Sequence, residues 1–179
     1  MKGKTIVWTI LVVFVLSFLI LAQEKEEQSI ELPQLYLEQK LDRSVKNTIS
    51  REIVGIAYAK SIGKTSEYYG KFMGERTAFF WADIKGKGPV PFVQYWYRFL
   101  QTDRNSKMEI VSVSETSVKA KMTVYGETYI KAFADLGVTV EEYASYLGKF
   151  SEMLADYVGL EYKQKLEGDW IVFTVTEKE

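Results

Sequence analysis

From Thr5 to Gln23 the chain runs 19 residues without a charge, with Lys2 and Lys4 ahead of the run and Glu24-Lys25-Glu26-Glu27 behind it. No amphipathic period breaks the run, which sets it apart from a core helix of a globular domain. A secretory signal has an apolar core of roughly 7 to 15 residues and a spanning helix needs about 20, so this segment lies between the two classes. Ala22 offers a small residue at a cleavage boundary, but the position three before that cut would be Ile20, a poor match to the small-residue pattern. The expectation is a signal-anchor over residues 1–23. Basic residues on its N-terminal side place that end in the cytoplasm and the rest of the chain outside, in a single-pass protein of the cell membrane. Cleavage near Ala22 would instead release a secreted protein.

Residues 24–34 are polar, rich in Glu and Gln, and include Pro33, the composition of a tether. Beyond it Leu37, Leu41, Val45, Ile49, Ile53 and Ile56 recur at steps of four or three, which predicts one long helix from about Leu35 to Ile62, ended by Gly63. Thr65 or Ser66 caps a second helix running to about Asp83, with Tyr69, Phe72, Met73, Phe79 and Phe80 as its apolar side. Gly70 and Gly74, four apart, clear one strip of that helix for close backbone approach. Lys85 to Pro91 reads as a loop, and Phe92, Tyr95, Trp96 and Phe99 as a short third helix.

Past a polar turn at Thr102 to Ser106 the period changes to two. Val118, Ala120, Met122 and Val124 alternate with Lys119, Lys121 and Thr123, so the first set should face a core and the second solvent. Glu109 to Val113 is its hairpin partner across Ser114 to Ser117. A short helix from Thr128 to Leu136 is closed by Gly137. Thr139-Val-Glu-Glu142 is a capping box that opens a helix carrying Tyr143, Tyr146, Leu147, Phe150, Leu154 and Tyr157 up to Gly159. Glu161 to Leu166 and Trp170 to Val175 form a second hairpin about Gly168-Asp169. Helices and strands in blocks, without strict βαβ alternation, give an α+β fold: an antiparallel four-stranded sheet of two hairpins with about five helices on one face. Residues 35–179 form the single extracytoplasmic domain.

Composition narrows the chemistry. The chain has neither His nor Cys, which removes the commonest general base, the thiolate nucleophile, nearly all zinc sites, a lipoprotein's acylated cysteine and any disulfide. A domain of about 155 residues can be held by its core alone. Beyond residue 22 the chain has 21 basic against 24 acidic residues, a balance that disfavours nucleic acid as a partner. Gly86-Lys-Gly88 lacks the spacing and the Lys-Ser/Thr of a phosphate loop and reads as a turn. A carboxylate-based glycosidase is formally open, but no motif marks one. No cofactor or metal is implied, and no catalytic residue stands out.

What remains is binding. Aromatics make up 15% of the chain and cluster at Tyr68-Tyr69, Phe79-Phe80-Trp81 and Tyr95-Trp96-Tyr97. Adjacent rings on a helix cannot all face one core, so some must line a groove, a partner surface or the membrane interface, unless they serve as core filler. Arg76 lies three residues after Met73 and four before Phe80, near that apolar stripe, where it could meet an anionic ligand; the blander reading has it snorkel to solvent or pair with Asp83. The candidate ligand-binding set is therefore Tyr69, Phe72, Arg76, Phe80 and Trp96.

The stretches Phe92-Val-Gln-Tyr-Trp96, Val124-Tyr-Gly126, Phe133-Ala-Asp-Leu-Gly137 and Gly159-Leu-Glu-Tyr-Lys-Gln-Lys-Leu-Glu-Gly-Asp-Trp170 resemble the L-2-amino-thiazoline-4-carboxylic acid hydrolase-like proteins. That family is related in architecture to the 4-vinyl reductase small-molecule-binding domains. The resemblance spans roughly residues 65–176 and rests on hydrophobic and turn positions. Its members commonly carry a Cys-Pro pair after the second strand and a further Cys and Asp in the following long helix. Here those regions read Val124-Tyr-Gly126 and Tyr146-Leu-Gly-Lys-Phe150. The resemblance thus implies the scaffold and its pocket without the hydrolase activity.

The expectation is a membrane-tethered, non-catalytic domain that binds a small, partly apolar or carboxylated molecule. The competing reading is a structural or assembly protein of the cell envelope that docks a partner protein through its aromatic surface. A cavity favours the first and a flat exposed aromatic patch the second.

Overall fold

The computed structural model describes residues 36–178. The 1–23 segment and the tether at 24–34 lie outside the described residues. Among those described, no helix is long and apolar enough to cross a membrane.

Helix α1, Leu37–Ser61, buries Val45, Ile49, Ile53, Ile56 and Ala59 along one stripe. Its first two turns depart from the predicted pattern: Leu37 and Leu41 are exposed, because the helix begins before the core it packs on. Thr65 caps α2, Ser66–Thr77, by accepting a hydrogen bond from the Tyr68 amide at 3.3 Å. The predicted helix to Asp83 is corrected here, since α2 stops at Thr77 and the chain tightens into a 3-10 helix, Ala78–Ile84. The buried strip of α2 is also a correction. It is Ser66, Gly70 and Gly74, not the aromatic positions, of which Phe72, Phe79 and Phe80 are exposed. Helix α3, Pro89–Leu100, takes in the two prolines expected in a loop. Their missing amides fall in the first turn, where no intrahelical acceptor exists.

Strand β1, Met108–Val113, pairs with β2, Ser117–Thr123, and β3, Leu160–Glu167, with β4, Trp170–Glu177, as two hairpins. Pairing of β2 with β4 joins them into one antiparallel sheet of order β1-β2-β4-β3. The fold is α+β. Val118, Ala120 and Met122 are buried with Ile171, Phe173 and Val175 of β4. Lys119 is exposed, and Lys121 lies 4.5 Å over the Trp170 ring on the outer face. β1 carries a bulge at Val111, between Ile110 and Ser112 in the register. Helix α4, Glu127–Ala132, and a 3-10 turn at Ala134–Leu136 follow the sheet's first hairpin. Helix α5, Val140–Val158, opens with the expected capping box, Thr139 with Glu142, and closes on Gly159 at φ 90.

Two contacts fix the helical layer. A Cβ on Gly70 would collide with the Tyr146 carbonyl oxygen, and one on Gly74 would sit 2.6 Å from Met153 Cβ, so α2 lies directly on α5. Asp103, only 8% exposed, accepts from the amides of Asn105 and Gly126 and from Ser106 Oγ, tying the turn after α3 to the one after β2.

Candidate functional site

Between the helices lies a pocket of about 360 Å³. Thr48 and Glu52 of α1 form one side and Met73 and Thr77 of α2 another. Phe80 and Trp81 come from the 3-10 helix, Tyr95, Trp96 and Phe99 from α3, and Tyr146, Leu147 and Phe150 from α5. Thr48, Glu52 and Thr77 are half-buried at the margins of their helices, whereas Trp96, Tyr146 and Leu147 belong to the buried faces of α3 and α5. Glu52 is three residues beyond Ile49 and four before Ile56, at the margin of the buried face of α1. Trp96 is only 3% exposed.

The rings form a box. Trp81 lies 5.0 Å from Tyr95 and 6.0 Å from Trp96 between centroids, and Trp96 meets Phe99 and Phe150 edge-on at 5.6 Å and 6.1 Å. Tyr146 stacks on Phe150 at 6.0 Å and, on its other side, on Tyr69 at 5.5 Å. Offset and edge-on arrangements of this kind satisfy the ring quadrupoles and hold the wall rigid.

Besides the hydroxyl-bearing Thr48, Thr77, Tyr95 and Tyr146 that line this space, two polar groups stand out. Glu52 accepts a hydrogen bond from the Tyr143 hydroxyl at Oε2 and from the Tyr146 hydroxyl at Oε1, the latter at 3.3 Å. Burial among rings pushes its carboxyl up to about 7, against the opposing effect of the two phenol donors, so it changes charge near neutrality. The same burial, with the charge of Glu52, raises the pKa of both Tyr143 and Tyr146, which therefore stay protonated donors. Among the described ion pairs Glu52 has no basic partner. The second group is Trp96 Nε1, the one buried side-chain nitrogen or oxygen among the described residues without a hydrogen-bond partner. Most buried donors in folded proteins are paired; this one is closed off from solvent although the Trp96 ring lines the pocket, so a bound molecule would not reach it without a shift of the ring.

The structure distributes the sequence-predicted residues unevenly. Phe80 and Trp96 are on the pocket wall. Tyr69 backs the wall through Tyr146 and fills the space above Gly55, while Phe72 is exposed beyond it. Arg76 is exposed on α2 with its guanidinium 5.2 Å over the Phe72 ring, and the described ion pairs include none with Asp83. It stands outside the pocket because the glycine strip, rather than the aromatic stripe, turns inward. Glu52 escaped the sequence reading. Its signal was its place at the edge of the Val45–Ile56 stripe, where an acid is set among isoleucines.

The protein stands apart in comparison. No family model, curated protein or solved structure matches the sequence. Its function must be read from the pocket itself.

Proposed function

We propose that the domain is a non-catalytic binding module that takes a small, largely apolar molecule into the pocket between α1, α2, α3 and α5, held outside the membrane by the 5–23 segment. The observation that carries this reading is a half-buried carboxyl, with no basic partner among the described ion pairs, on the wall of an aromatic space of about 360 Å³. Concave, mostly apolar sites with a few convergent polar groups are the usual form of small-molecule sites. At interior packing density the space accommodates roughly ten to fifteen non-hydrogen atoms. A carboxylated ligand, the other half of the original expectation, finds no cation on this wall, and Glu52 would repel it once ionised. Catalysis is not supported, since the remaining titratable groups around Glu52 are phenols.

The test is a thermal-shift and tryptophan-emission screen of the full-length chain against aromatic fragments of this size. Hits should raise Tm and change the emission of Trp81 and Trp96, and Thr77→Phe, which fills the pocket from α2, should abolish both responses while folding. The reading is sunk if no fragment acts, or if hits act equally on the filled variant. In that event the envelope-assembly alternative leads, since Phe79 and Phe80 are 58% and 65% exposed beside the pocket. Retention by the 5–23 segment predicts that the protein fractionates with membranes; an N-terminus near Gln23 in the mass of the native protein would refute it.

A further inference from the structure

Resting on the reading of the pocket as a small-molecule site, we propose that its ligand is an organic cation, an amine or quaternary ammonium compound.

Charge is the first argument. Of the residues on the pocket wall Glu52 alone carries a formal charge, and no Lys or Arg lines the space. The groups packed around its carboxyl are phenols from other elements: Tyr143 and Tyr146 on α5, Tyr69 on α2 and Tyr125 after β2. These donate or merely surround; none neutralises. An ionised carboxylate in such surroundings is strongly favoured by an opposite charge brought into the same space.

The walls supply the second. Trp81, Tyr95, Trp96, Phe99, Tyr146 and Phe150 enclose the pocket on several sides. Ring faces attract a cation through their quadrupoles, most strongly for indole and where water is excluded, and boxes of this kind recognise ammonium groups. An uncharged hydrocarbon would leave the charge of Glu52 unanswered, and an anion would meet a carboxylate with no compensating base on the wall.

A matched set of three probes separates these ideas on the full-length chain: benzyl-dimethyl(hydroxyethyl)ammonium, its isostere with a quaternary carbon in place of nitrogen, and the carboxylate built on the same carbon skeleton. Calorimetry at pH 8 should show the ammonium binding at least about tenfold more tightly than the neutral alcohol, and the carboxylate weakest. Because the ammonium does not titrate, its advantage should shrink as pH falls below about 7 and Glu52 takes up its proton. Glu52→Gln should erase the preference for the ammonium over the alcohol, reducing the at least tenfold ratio to about one. Equal or tighter binding of the alcohol or the carboxylate by the wild-type chain overturns the cation inference and leaves the pocket reading intact. If none of the three changes tryptophan emission or Tm, both fall together.

Discussion

Glu52 gives the pocket its pH dependence and burdens the fold with it. Its folded pKa is raised from 4.5 to about 7, so between those values the native state holds a proton that the unfolded chain has released. Stability contributed by this group is therefore full below about pH 4.5, is lost as pH rises toward 7, and stays lost above, by at most about 3 kcal/mol. Glu52→Gln should flatten this slope and raise Tm at pH 8, read from melts between pH 5 and pH 8; an unchanged slope would locate the titration elsewhere. Trp96→Phe removes a donor that has no partner but also the volume of a ring packed against Trp81, Phe99 and Phe150, so it should destabilise by about 1–3 kcal/mol, read from urea unfolding. Neither residue's role could be read in full from the sequence. Trp96 was legible as a ring at helical spacing, but an orphan donor exists only once neighbours are placed. Glu52 looked like one of many acids on a solvated helix, and what distinguishes it is Tyr143 and Tyr146, more than 90 residues away in the chain.

At the level of elements, α2 shows how a helix can be read with its faces reversed. Its aromatics suggested the buried side, yet the contact that orders the layer is made by Gly70 and Gly74 against α5. Backbone proximity there replaces side-chain burial: the four-residue spacing of the two glycines marked that strip in the sequence, while the apolar pattern pointed to the other side. Gly70→Ala should force the helices apart at the Tyr146 carbonyl and destabilise by about 1–3 kcal/mol, measured by urea unfolding. It should also reduce ligand affinity, because Tyr146 is a pocket wall. The long helix α5 was legible for the opposite reason: its N-terminal signal is local. Thr139→Ala removes the hydroxyl that accepts the Glu142 amide and should lower stability by about 1 kcal/mol. The β2 alternation was equally legible, since a period of two leaves only one register in which Val118, Ala120 and Met122 are sheltered. The β1 bulge was not, because it depends on the mismatch between two strands rather than on either sequence.

Across the whole molecule the sheet and the pocket are separate devices. The sheet closes the core from one side, and the pocket is enclosed by helices, with α5 and α3 shared between the two. Walls set by α1, α3 and α5 are held by buried stripes, and α2 is fixed by its glycines. The 3-10 helix is different: Ala78 and Ile84 are its only buried residues, and it presents Phe79 and Phe80, their centroids 4.0 Å apart, to solvent. Short 3-10 segments have poorer hydrogen-bond geometry than α-helices and open at lower free energy. Traffic into the space should therefore pass the Phe80 side, with Phe79 and Phe80 swinging as a pair and Trp81 as the inner stop. Arrival and departure of a ligand would then be timed by the opening of one seven-residue turn, so that a substitution at Phe79, which touches no bound molecule, changes residence time while leaving the equilibrium affinity nearly where it was.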